Sequence, residues 1–322
     1  MSAPSRLGDI APRLSVPLIA APMFQNSGVE LVIAACRAGA IGAFPTSNCR
    51  SLDELDEWLG RIMEGLAPDA DGRRPAPACA NLIIRQARLE GDLERLVRHR
   101  VEMVITSVGS PAAVVKPLHA VGCQVYADVA SIKHAEKAIA AGADGLILLT
   151  AGAGGQTGWA NPFAFVRAVR SFFDGPLVLA GGVSDGAALW AARVLGCDLG
   201  YMGTRMLATR ESLAKQAYKE ALVAGELDDV LTTRAFSGLE TNMLRPSIIA
   251  AGLDPDRLNE LVTAQDARQT FGVASTGPRR WSDIWSAGHS VSGVRDIPDV
   301  ATLVRRTREE YEAARLATRD LA

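Results

Sequence analysis

Apolar residues in this chain fall in short continuous runs, separated by stretches where they recur every three or four positions, which is the alternation of buried strands with amphipathic helices. VPLIAAP (16–22) is such a run, stopped by proline, and 29–38 follows with helical spacing. The pair repeats as 41–44 with 51–64, 77–84 with 89–99, and 103–107 with 111–120. It continues as 123–129 with 131–141, 144–150 with a helix from Pro162, 176–182 with a helix over 184–195, and a last run at 198–204. Near-continuous apolar runs are what a parallel sheet needs when helices cover both of its faces. Eight such units within about 220 residues predict an α/β fold, a (β/α)8 TIM barrel, with its ligand site at the C-terminal ends of the strands.

Beyond Thr204 the pattern changes. Residues 211–224 and 258–270 read as helices, 276–280 as a loop and 300–316 as a charged amphipathic helix, with no strand signal between them. The expected organisation is a barrel over residues 1–210 and a mainly helical appendage over 211–322. That appendage is expected to complete the barrel and cover its mouth, or to form the contact of a homodimer, and the sequence leaves the two open.

Composition narrows the partners. In 322 residues the net charge is -2, with acids and bases interspersed, so nothing resembles the basic footprint of a nucleic-acid or anionic-membrane binder. A small-molecule substrate is expected. MSAPSRLGDI has no leader pattern and no apolar run approaches the roughly 18 residues of a membrane span, so a cytoplasmic protein is expected. The five cysteines are scattered, and four of them sit in or beside apolar runs, which reads as buried free thiols with no disulfide and no metal site.

Chemistry-bearing residues gather where the predicted strands end. Pro22, Met23, Phe24 and Gln25 follow the first strand, Thr46, Ser47 and Asn48 the second; the third carries Asn81 and the fifth ends at Asp128. The sixth opens into AGAGGQTG (151–158), the seventh ends in Gly181 and Gly182, and the eighth in Gly203 and Thr204. Barrels often bind phosphate between their last two strand-end loops, and glycines there let backbone N–H groups approach a dianion. Turning tight loops is the competing role for those glycines. Gly152 and Gly154 also start a dinucleotide fingerprint, but Thr157 holds its third glycine position and the next helix begins too late, at Pro162.

Together, APMF (21–24), the asparagine of CANLII, AGAGGQTG, LAGGVSDG (179–186) and YMGTRML (201–207) resemble the nitronate monooxygenase or 2-nitropropane dioxygenase family. The resemblance spans about residues 15–210, and more weakly TRAFSG (233–238) and WSAGHSVSGVRDI (285–297). It implies an FMN-dependent barrel in which Pro22 and Met23 pack against the isoalloxazine, Asn81 hydrogen-bonds its polar edge and Gly154 lines it. It also implies that Gly181, Gly182, Met202, Gly203 and Thr204 hold the phosphate end. Members oxidise alkyl nitronates with O2; close relatives are NAD(P)H-linked reductases of quinones and enoyl thioesters, which gives the alternative activity and co-substrate. A flavin-binding barrel without catalysis is the third reading.

One departure stands out. Many members read AGGHRG, and this chain reads AGGQTG, so Gln156 takes the place of the histidine assigned as base. An amide donates and accepts hydrogen bonds but takes no proton near neutrality. Asp128 at the end of the fifth strand and His289 in AGHSVSG are the remaining candidates for proton chemistry, against helix capping or surface roles. His134, His99 and His119 are expected on helix surfaces or ends. Tyr126, two residues before Asp128, shares its face; Trp159 and Arg205 have loop-anchoring and ion-pairing roles as alternatives to substrate and phosphate contacts.

Overall fold

The computed structural model describes residues 7–272 and 275–319; residues 1–6, part of the stretch read for a leader, lie outside it. Strands β1 (Leu18–Ala20), β2 (Ile41–Pro45), β3 (Ala78–Ile83), β4 (Met103–Ser107), β5 (Gln124–Val129) and β6 (Gly145–Leu149) come first. A two-residue strand β7 (Gly155–Gln156) follows, and β8 (Leu177–Ala180) and β9 (Leu199–Met202) complete the series. Eight of these, β1 to β6, β8 and β9, form a closed parallel barrel in chain order, with β9 paired to β1 through Ile19 and Tyr201. The fold is therefore the TIM barrel that the apolar pattern predicts.

Helices α1 (Val29–Arg37), α2 (Leu52–Gly65), α3 (Leu89–Arg98), α4 (Ala112–His119), α5 (Ile132–Ala140), α6 (Pro162–Arg170) and α7 (Gly186–Leu195) alternate with the strands. Several begin where a short polar side chain accepts an otherwise orphaned amide: Ser51 from Glu54, Ser131 from His134, Asn161 from Phe163 and Asp185 from Ala188. Alternate strand residues Ile19, Ile41, Cys79, Ile105, Tyr126, Ile147, Val178 and Leu199 fill the barrel interior. Leu7 and Ile10 plug its N-terminal end, leaving the C-terminal mouth for function. All five cysteines are buried and free, and burial pushes Cys36, Cys49, Cys123 and Cys197 up to about 12, which keeps those thiols protonated.

After β9 the chain leaves the barrel. It forms α8 (Thr204–Leu207), α9 (Gln216–Ala224), the strands β10 (Val230–Thr233) and β11 (Thr241–Leu244), α10 (Arg245–Ala250) and α11 (Ala264–Phe271). The expectation of no strands here is corrected: β10 and β11 pair antiparallel, and β11 adds the glycine loop's β7 as third strand through Thr241 and Gln156. The helical reading of 258–270 also shrinks, because Thr263 caps α11 and the turns before it are irregular. The last helix, α12 (Val300–Ala317), packs on α7 and α1 and so fills the gap in the outer ring left by the excursion.

That docking has no slack. A Cβ on Gly186 would sit 2.0 Å from the Tyr311 amide nitrogen and 2.2 Å from the Thr307 carbonyl oxygen, both backbone atoms of α12. Gly186→Ala is therefore expected to lower stability by about 3 kcal/mol, the upper range for overpacking, as measured by urea unfolding.

Candidate active site

A cavity of about 750 Å3 opens at the C-terminal ends of the barrel strands, within the size range of small-molecule and cofactor sites. Ten of the sequence-nominated residues line it: Pro22, Met23, Asn81, Asp128, Gly154, Gln156, Gly181, Gly182, Gly203 and Thr204. Two nominated residues do not. Met202 is fully buried in the packing behind the strands, where its carbonyl accepts the Ala21 amide. His289 is exposed; its backbone N–H donates to Gly152, and its stretch reaches the cavity through Ser286 and Ser290 instead.

One corner has the character of an anion cradle. A Cβ on Gly182 would meet nothing within 4 Å, and one on Gly203 would meet only the Ala21 methyl at 3.7 Å, so both glycines face open space. The backbone N–H groups of Gly182, Gly203 and Thr204 make no hydrogen bond among the described residues. Gly182 and Gly181 both have left-handed φ, +78° and +121°, a backbone that aims these amides and suits glycine. Converging unpaired donors with no side chain in the way fit a phosphate group. The Thr204 hydroxyl is committed elsewhere, accepting the Gly288 amide at 2.9 Å and tying the excursion to the barrel.

Across the cavity, the Asn81 amide donates to the Ile105 carbonyl at 3.3 Å and the Ser107 hydroxyl at 3.2 Å. Among the described residues its oxygen receives only the Ser107 hydroxyl, at 3.4 Å, and keeps acceptor capacity for a ligand. Asn48 braces the neighbouring strand-end loop by donating to the carbonyls of Met23 and Ser27 and accepting from Gln25. Gln25 is held at φ +63°, a left-handed conformation uncommon outside glycine.

Asp128 is the unusual group. Its Oδ1 is closed off from solvent and, among the described residues, has no hydrogen-bond partner and no basic side chain beside it on the barrel strands. Burial disfavours its charged form and pushes its carboxyl up to about 7. Near neutrality it therefore holds a proton about half the time. Below it on the same face, Tyr126 is fully buried with a hydroxyl that has no partner among the described residues, and burial pushes that phenol far above its ordinary range.

Gln156 is exposed to the cavity and is carried by β7, so its position depends on β11. Asn242 on β11 donates to the carbonyls of Ala151 at 2.8 Å and Ala153 at 2.7 Å and thereby fixes the glycine loop. Asn242→Ala leaves those two carbonyls without the amide, and a loss of about 2 kcal/mol is expected in thermal unfolding. Asn242 escaped the sequence reading because TNML is a short alternation amid polar residues. Of the other residues weighed, Trp159 is exposed, Arg205 is buried in an ion pair with Asp296 at 2.6 Å, and His99 and His119 pair with Asp56 and Asp144.

The excursion supplies the roof. Phe271, Arg279, Arg280, Trp281 and Ser282 line the cavity, together with Tyr218, which stacks on Trp285 at 5.0 Å. Nothing in the sequence marked these residues, since their partners lie tens of positions away.

A closed barrel whose large strand-end cavity is lined by an acid, several side-chain amides and a cluster of glycines has the arrangement of a barrel enzyme acting on a small molecule. The sequence profile described as nitronate monooxygenase matches residues 74–306, and the chain belongs to that family of flavin-dependent oxidoreductases. It is 25% identical to the nitronate monooxygenase of Paraburkholderia phytofirmans, over 93% of this chain and 94% of that protein. It is also 25% identical to a Rhodococcus jostii protein named (3aS,4S,5R,7aS)-5-hydroxy-7a-methyl-1-oxo-octahydro-1H-indene-4-carboxyl-CoA dehydrogenase, over 84% of this chain and 74% of that one. In fold it matches FabK from Thermotoga maritima with TM-score 0.79 at 22% identity, each chain covered fully. The nitroalkane oxidase of Streptomyces ansochromogenes matches with TM-score 0.75 at 23% identity, over 97% of this chain and 99% of that one.

Proposed function

We propose that the protein oxidises alkyl nitronates with O2 using FMN. The observation that carries this reading is the pairing, in one cavity, of an open cradle of unpaired amides with a buried carboxyl that is neutral up to about pH 7. Gly182, Gly203 and Thr204 would hold the flavin phosphate, and Pro22, Met23, Gly154 and Asn81 would flank the ring. FMN, when bound, supplies the one-electron chemistry and the reaction with O2.

The chain's own residues bind and orient the anion. A protonated Asp128 donates a hydrogen bond to a nitronate oxygen, and the Gln156 side-chain amide donates a second. Gln156 cannot take a carbon-bound proton, and Asp128 is suited to act as donor rather than base below about pH 7. The substrate is therefore the preformed nitronate, not the neutral nitroalkane. Purified protein should release FMN on denaturation and turn over ethyl nitronate with little activity on nitroethane. Equal rates on both would overturn the assignment of roles, and a colourless protein that takes up no FMN would overturn the reading itself.

A further inference from the structure

The cavity wall across from the glycine cradle is apolar. In the eight-strand ring β3 stands opposite β8, and β1 to β4, with the loops that follow them, each contribute one apolar residue to the lining: Phe24, Pro45, Ile83 and Val108. β2 pairs with β3 and β3 with β4, placing Pro45 beside Asn81 and Ile83 beside Ser107, so the apolar residues form one continuous strip. At about 4.8 Å per strand, the strip is roughly 14 Å long. Among the described residues no charged side chain interrupts it; the cavity's charges are Asp128 on β5 and the arginines of the roof. Asp128 and Gln156, the donors assigned to the nitronate oxygens, lie outside it.

A second observation comes from the backbone. Val108 has φ +54°, a left-handed conformation that is a genuine outlier for a β-branched residue, yet 44% of the residue is exposed. Gly109, at φ +158°, closes the same loop on β3, where a Cβ would meet the Ile84 side chain at 2.7 Å. On the other flank Phe24 is 38% exposed, and its neighbour Gln25 is left-handed as well. Asn48 accepts the Gln25 amide and Asn26 donates to the Phe24 carbonyl at 2.8 Å, which braces that loop. Two held loops with unfavourable backbones therefore display apolar side chains to the cavity instead of burying them. Folding alone would favour glycine or asparagine at position 108, and strain kept at a cavity wall points to a ligand clamp.

We propose that this strip is the subsite for an apolar substituent, and that the preferred substrate carries an unbranched hydrocarbon chain long enough to cover it. The reacting end of that substrate rests on the nitronate reading, whereas the affinity of the strip for a chain does not.

Two series of matched chain length test it on the flavin-loaded protein: turnover of ethyl, butyl, hexyl and octyl nitronates, and calorimetric binding of acetate, butanoate, hexanoate and octanoate, which carry an anionic head and do not react. Both kcat/KM and affinity should rise about threefold per added methylene up to the hexyl member, as burial of each methylene requires. Val108→Asn puts a polar side chain on the strip that tolerates the left-handed backbone, so the variant should melt no lower than the native protein. It should cut the octyl-to-ethyl ratio of kcat/KM, and the octanoate-to-acetate ratio of affinity, by about fivefold or more, and Phe24→Ala should lower both in the same direction. If neither series depends on chain length, or if Val108→Asn leaves both ratios unchanged, the proposal is overturned. Chain-dependent binding of the carboxylates without turnover of any nitronate supports the subsite and overturns the nitronate reading instead.

Discussion

Asp128→Ala is expected to lower kcat/KM on an alkyl nitronate about 100-fold, the cost of removing one hydrogen-bond donor from a developing or bound oxyanion. Asp128→Asn, which keeps an N–H donor, should retain most of the activity and change its pH dependence. In the native protein the donor is the neutral carboxyl, raised to about 7 by burial, so activity is present below that pH and is lost as pH rises through it. The Asn variant should have no such limb. If Asn behaved like Ala, and the limb survived in both, Asp128 would not be the donor.

The same shift has a stability consequence whose sign is fixed. Between the ordinary carboxylate value of 3.8 and about 7, the unfolded chain releases the Asp128 proton while the folded chain retains it. Stability therefore falls with rising pH across that window, by on the order of 4 kcal/mol if the shift is fully expressed. Above it the difference is constant. Asp128→Asn removes this decline, so the variant should gain on the native protein as pH rises from 4 to 8, read as the difference in urea midpoints.

Gly203→Asp is expected to abolish flavin retention, giving colourless protein that FMN does not reconstitute. Gly203 has φ -103°, accessible to any residue, and a Cβ there meets only the Ala21 methyl at 3.7 Å, so the folded chain tolerates the side chain. What it fills is the space before the amides of Gly203 and Thr204, and its carboxylate would repel a phosphate. The melting temperature of the flavin-free protein should shift by no more than about 2 °C, whereas Gly181→Ala, whose Cβ would come 2.3 Å from the Thr150 hydroxyl, should destabilise it outright. Normal flavin content in Gly203→Asp would place the phosphate elsewhere.

These contrasts also mark how far the sequence reached. Parallel barrel strands are apolar on both faces, so VPLIAAP, MVITS and DGLILLT were recognisable without knowledge of their neighbours, and the order of β1 to β6, β8 and β9 followed. Residues at the ends of those strands, Asn81, Asp128, Gly182 and Gly203 among them, were legible as cavity residues for the same reason: the barrel sends every strand end to one mouth. Met202 was placed with them by its motif, but strand alternation turns its side chain away, into the packing between strand and helix.

What the sequence could not convey depends on contacts between distant segments. β7 is a strand only because β11 pairs with it, Asn242 fixes a loop some ninety positions earlier (|i−j| of 91 to Ala151), and α12 completes the helical ring by docking on α1 and α7. The amphipathic pattern of 300–316 marks α12 as a helix, but its docking, the β7–β11 pairing and the Asn242 contacts have no local signal, since each is stabilised by surface that exists only after the barrel closes. The chain's own pattern determined the barrel and the mouth that carries its chemistry, because burial on both faces and strand direction are local properties of each βα unit. Only the tertiary structure decided that burial raises the Asp128 carboxyl toward neutrality and that Arg268, Arg280 and Trp281 roof the cavity, because desolvation and charge proximity depend on which segments meet in space.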